Sequence, residues 1–109
     1  MKRGDTVIAT APGFGKKPRP YVVIQADAYA RLTTLILLPI TTELSSAPSA
    51  LRCPLEPDEI NGLLRRSEVM ADIPVTTGAD RVHQQIGALS ARDLLRVEQA
   101  LLLVLGFVG

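Results

Sequence analysis

Apolar residues along this chain gather into short, β-branched runs separated by glycine, proline and serine. "DTVIATA" at residues 5–11 reads as a first strand, and "PGFGKKP" at 12–18 follows as a loop that cannot continue it. "PYVVIQ" (20–25) and "TTLILLPITT" (33–42) are two further strands, joined by "ADAYAR". Their unbroken apolarity predicts burial on both faces, or a tightly closed sheet. As an antiparallel hairpin centred near residue 30, they pair positions whose numbers sum to about 60, which sets Arg19 opposite Thr41.

Downstream, "TELSSAPSA" (42–50) is a Ser/Pro-rich loop, "LRCPLEP" (51–57) a short strand, and "DEINGLLRR" (58–66) contains a turn at Asn61-Gly62. "SEVMADIPV" (67–75) reads as one strand, whereas "TTGADRVHQQIGAL" (76–89) fits either a short helix or a loop leading to another strand. The last element is better marked. Ser90 to Asp93 ("SARD") resembles a capping box, and Leu94, Val97, Leu101, Val104 and Leu105 follow at helical spacing, predicting a helix to about Gly106. Leu102 and Leu103 widen its apolar face, as packing on the sheet and on a second chain would require. The class is therefore mostly β with a C-terminal helix.

At 109 residues, 47% hydrophobic and 21% charged, the chain suits one ordered domain, 1–109. Neither end has a segment of signal or membrane-spanning length, so the expected compartment is the cytoplasm. One cysteine, Cys53, and one histidine, His83, can build neither an internal disulfide nor a zinc site.

The net charge of +1 conceals an asymmetry. Residues 1–31 carry Lys2, Arg3, Lys16, Lys17, Arg19 and Arg31 against Asp5 and Asp27, a balance of +4, and the rest is acidic. One end is thus suited to an anion such as a nucleic-acid backbone.

"GFGKK" lacks the spacing of a nucleotide-triphosphate loop, and no helix follows it. Ser45, Ser46 and Ser49 stand in no nucleophile motif. His83 is the one side chain whose ordinary pKa lies near neutrality. Arg19, between Pro18 and Pro20, is held extended before it meets any ligand. With the hydroxyls of Thr41 and Thr42 it forms a set suited to a phosphodiester, because arginine offers a planar fork to phosphate oxygens and a hydroxyl adds a donor where charge grows. RNA would need no metal-bound water here, since its own 2′-OH can attack the adjacent phosphorus.

The order "RGDTVIA", a Gly-rich loop ending in "RP", "YVVIQAD", "LLPITTEL", "RRSEVMADI", "DRV" with "IGAL", and a terminal helix resembles the MazF/PemK family of toxin endoribonucleases over nearly the whole chain. The resemblance implies a small, curved antiparallel SH3-like barrel (MazF/CcdB-like) with a C-terminal helix, normally a homodimer. It implies cofactor-free, metal-independent cleavage of single-stranded RNA to a 2′,3′-cyclic phosphate and a 5′-hydroxyl, and a cognate MazE-like antitoxin. Arg19 and Thr41 fall on the positions implicated in cleavage. Phe14, Lys16, Lys17 and Thr42 become the expected RNA-binding residues, with Glu43, Asp72 and His83 open as proton acceptors.

This sequence departs from the family pattern at "APGFGKKP", where many relatives carry a Glu-Gln pair, and at "DIPV", where they carry Gln-Ile/Val-Arg. Two alternatives share the fold: a CcdB-like gyrase inhibitor, disfavoured by an end reading Phe107-Val108-Gly109 without tryptophan, and a degenerate homologue retained for antitoxin binding.

Overall fold

The computed structural model describes residues 1–45 and 49–108, so Ser46, in the Ser/Pro-rich loop, and the terminal Gly109 lie outside the described residues. Seven strands form one antiparallel sheet: β1 Asp5–Ala9, β2 Arg19–Val23, β3 Thr34–Thr41, β4 Arg52–Leu55, β5 Ser67–Met70, β6 Val75–Gly78 and β7 Val82–Ala88. Helix α1, Ala91–Val104, follows. The strand order is β4-β5-β3-β2-β1-β7, with β6 also paired to β3.

The continuous apolar runs are buried on both faces except at Ile36, which is exposed. Along β2 and β3, Val22, Ile24, Leu38 and Ile40 join Val97 and Ala100 of α1 in one core. The intervening Tyr21, Val23, Leu35 and Leu37 join Val7 and Ala9 of β1 in a second core on the other face. Period-two alternation thus divides one hydrophobic hairpin between two cores.

The sheet curves without closing. No ladder joins β6 to β7; they meet at a 3₁₀ turn, Ala79–Arg81. There the amide of Thr10 donates to the Arg81 carbonyl (3.2 Å), and Thr77 Oγ1 donates to the Thr10 carbonyl (2.8 Å).

"SEVMADIPV" is not one strand. Between the Thr41–Glu68 and Leu37–Val75 pairs, β3 advances four residues while the opposing chain advances seven, so Ala71–Pro74 leave the ladder. Asp72 turns outward to Arg52 Nε (3.3 Å), and Pro74 has no amide to donate. The ambiguous stretch after it contains β6, the turn and β7, with His83, Gln84 and Gln85 exposed; an edge strand with so polar a surface carries little apolar periodicity.

Helix α1 begins as expected. Ser90 Oγ accepts from the Asp93 amide (3.1 Å), although Asp93 spends its carboxylate on Arg96 (3.1 Å) instead of reaching back to the cap. Its end is a Schellman turn: the Gly106 and Phe107 amides donate to the carbonyls of Leu103 and Leu102, with Gly106 at φ 81°. Asn61-Gly62 does turn the chain, and the φ of 70° at Gly62 is one that glycine tolerates.

Candidate functional site

β2 and β3 pair Tyr21 with Pro39, Val22 with Leu38 and Val23 with Leu37, the register expected from the sequence. Continued past the last pair, it sets Arg19 across from Thr41. The two line one cavity of about 310 Å³ with Phe14, Thr42 and Glu43.

Arg19 opens β2, where it pairs with Ala9 of β1. Its Nε donates to the Phe14 carbonyl at 3.1 Å, and it has no ion-pair partner among the described residues. Its remaining guanidinium donors are available to an anion. Thr41 closes β3, and its Oγ1 accepts from the Glu43 amide at 3.0 Å. That bond uses a lone pair and leaves the hydroxyl proton free to donate.

Glu68 is a further residue beside the site that was not among the expected ones. It pairs with Thr41 across the β3–β5 ladder, lies buried, and accepts from both the amide and the hydroxyl of Ser45 (3.1 and 3.0 Å). The chain carrying Thr42 and Glu43 is thereby anchored at both ends, by Thr41 and by Ser45. An acid inside the apolar "SEVM" run was the available signal.

The other expected site residues divide. Phe14 and Thr42 share the cavity of Arg19. Lys16 instead lines a neighbouring, larger cavity of about 680 Å³ with Thr10, Thr34, Thr76 and Arg81, and Lys17 is exposed in the same loop but lines neither. Arg81 also went unnoticed in the sequence, because only the 3₁₀ turn brings it to Lys16. That second cavity has two cations and no acid in its lining. Among the candidate proton acceptors only Glu43 lines the Arg19 cavity; Asp72 is paired to Arg52, and His83 is exposed on β7.

Not every N-terminal cation contributes to a basic surface. Arg3 holds Glu98 of α1 at 2.8 Å and reaches the Ile24 carbonyl, so it ties the hairpin to the helix. The Cys53 thiol is buried, and burial raises its pKa; Arg96 lowers it and Asp93 adds a smaller upward push. No cluster of three potential metal ligands occurs among the described residues, and no described helix is long and apolar enough to cross a membrane.

Fold and site together define a small curved-sheet protein that presents an unpaired arginine and a free hydroxyl donor at one end of a central hairpin. Comparison with known proteins gives this class a family. The model of the PemK-like, MazF-like toxin of type II toxin–antitoxin system matches residues 2–105, and the chain belongs to that family.

The chain is 36% identical over 110 residues, all of both chains, to the probable endoribonuclease MazF of Mycolicibacterium smegmatis. Among solved structures, an endoribonuclease in complex with its cognate antitoxin from mycobacterial species superposes with a TM-score of 0.84 at 18% identity, covering 100% of this chain and 98% of that one. Mycobacterium tuberculosis toxin MazF-mt6 superposes at 0.78 and 25% identity, with 94% and 96% covered.

Proposed function

We propose that this chain is the toxin of a type II toxin–antitoxin pair and an endoribonuclease that cuts single-stranded mRNA in the cytoplasm. The observation that carries this reading is the convergence of Arg19 and Thr41 on one cavity, in a chain whose relative over its full length is named as an endoribonuclease. The RNA supplies its own nucleophile: the ribose 2′-OH attacks the adjacent phosphorus, and the bond to the 5′-oxygen of the next nucleotide breaks. The products are a 2′,3′-cyclic phosphate and a 5′-hydroxyl, and no metal-bound water is required.

Arg19 neutralises charge growing on the non-bridging oxygens, and the Thr41 hydroxyl donates to one of them. Glu43, the acid in the cavity, takes the 2′-OH proton, and solvent water protonates the departing 5′-oxygen. Thr42 and Phe14 contact the nucleotides beside the cut, while Lys16 with Arg81, and Lys17 on the exposed loop, hold flanking phosphates.

A cognate antitoxin covers this basic loop; a structure that shares the fold is an endoribonuclease in complex with its own antitoxin. We infer a homodimer, consistent with the exposure of Leu102, Leu103, Leu105 and Phe107 at the end of α1.

The test is incubation of the purified protein with a long single-stranded RNA in EDTA, beside Arg19→Ala, with the ends mapped by primer extension. Discrete cuts made only by the wild type and bearing 5′-hydroxyls are expected. A folded wild-type protein that leaves the RNA intact, or an Arg19→Ala protein that cuts equally well, would refute the assignment.

A further inference from the structure

Tyr21 lies two residues along β2 from Arg19, on the same face of the sheet by strand alternation. It is fully buried, and its hydroxyl has no hydrogen-bond partner among the described residues. Buried tyrosine hydroxyls ordinarily find an acceptor, so this one marks an interaction that the folded chain leaves unmade. Phe14 packs against the tyrosine. Its ring stands edge-on to Tyr21, with centroids 6.1 Å apart and planes at 84°.

The carbonyl of that same Phe14 accepts from Arg19 Nε. A single loop residue therefore touches both side chains. Gly13 and Gly15 flank it at φ 88° and 74°, and a β-carbon added to either would meet nothing within 4 Å. The loop thus has open space around it.

We propose that Tyr21 is a further phosphate donor of the Arg19 site, covered by Phe14 and uncovered when a phosphodiester replaces the Phe14 carbonyl at Arg19 Nε; this rests on the RNA-cleaving reading above. An anionic phosphate oxygen is a stronger acceptor than a neutral carbonyl, and engaging Nε together with an Nη restores the bidentate fork. Displacing the carbonyl moves the ring, because both belong to Phe14. The phenol then donates to a non-bridging oxygen, the acceptor it lacks in the closed state. Burial raises the phenol's pKa and the Arg19 charge opposes that rise, so at neutral pH the group keeps its proton and donates it in a hydrogen bond without transferring it.

The chain has two tyrosines and no tryptophan, and Tyr29 is exposed. In a Tyr29→Phe background, Tyr21 is therefore the sole source of tyrosine fluorescence. A 2′-O-methylated copy of the cleavage substrate, which cannot attack itself, is titrated into this protein while emission and acrylamide quenching are followed. Emission should change saturably, and quenching should rise on binding; Phe14→Ala should raise quenching before any RNA is added.

Tyr21→Phe should melt no lower than its parent, because it removes an unpaired buried hydroxyl, yet it should lower single-turnover cleavage by at least about tenfold. A purely structural tyrosine would show the reverse. Unchanged Tyr21 emission at saturation, or full-rate cleavage by Tyr21→Phe, overturns the proposal and leaves Arg19-dependent cleavage standing. If the emission change occurs but the wild type cuts no RNA, the donor assignment survives and the cleavage reading falls. No binding of the methylated RNA, by a wild type that also cuts no RNA, overturns both.

Discussion

Replacing Thr41 by valine keeps the β-branched shape that suits the end of β3 and removes one hydroxyl. Two losses of different size follow. The Glu43 amide loses its acceptor, but in an exposed turn where water can replace it, so the fold loses at most about 1 kcal/mol. For a chain of this length that lowers Tm by no more than about 4–8 °C. On the proposed mechanism, cleavage loses a donor aimed at developing charge, for which about 2.7–4 kcal/mol, or 10²–10³ in rate, is the usual scale.

A protein of ordinary stability, about 5–15 kcal/mol, stays folded at 25 °C after the first loss, so unfolding cannot produce the second. The measurement is single-turnover RNA cleavage in EDTA beside a thermal melt followed by circular dichroism, with Thr41→Ser as the control that retains the donor. Valine cleaving at the wild-type rate would refute the donor role. Serine as slow as valine would show that the hydroxyl alone is insufficient and that the methyl group is also needed to hold it in place.

Gly87→Ala tests the packing of β7 against the 56–61 loop, away from the Arg19 cavity: its added β-carbon would stand 2.2 Å from the Ile60 carbonyl oxygen and 2.7 Å from the Asn61 carbonyl carbon, backbone atoms that cannot rotate away. A loss of about 2–4 kcal/mol in urea unfolding is expected, and an unchanged midpoint would show that the 56–61 loop shifts freely. Alkaline pH should destabilise the protein, since burial raises both Cys53 and Tyr21 above their ordinary values of 9.0 and 10.0. The folded chain then holds protons that the unfolded chain has released, so this stability is complete below the ordinary values and is lost as pH rises through the raised ones. Tyr21→Phe should remove the phenol's share of the decline, and a melting temperature flat from pH 8 to 11 would contradict it.

Much of the central architecture was legible because it is local. Residues 20–25 and 33–42 carry their own pairing register, since a short connection between two buried strands leaves one alignment that keeps alternate side chains in their cores; that alone brought Arg19 to Thr41. Pro18 and Pro20 specify an extended Arg19, and Ser90 and Gly106 punctuate the helix, each through its own backbone chemistry.

What the chain's pattern could not reveal depends on groups distant in sequence. The split of "SEVMADIPV" into β5 and β6 comes from both strands sharing one edge of β3. Glu68 meets Ser45 through the β3–β5 pairing, Arg81 shares a cavity with Lys16 through the 3₁₀ turn, and Arg3 is diverted from the basic surface to Glu98 by the packing of α1. The packing of Phe14 against Tyr21 belongs to the same category: a glycine-rich loop has no periodicity from which its resting place could be read, and the neighbours it packs against are set by the curvature of the finished sheet.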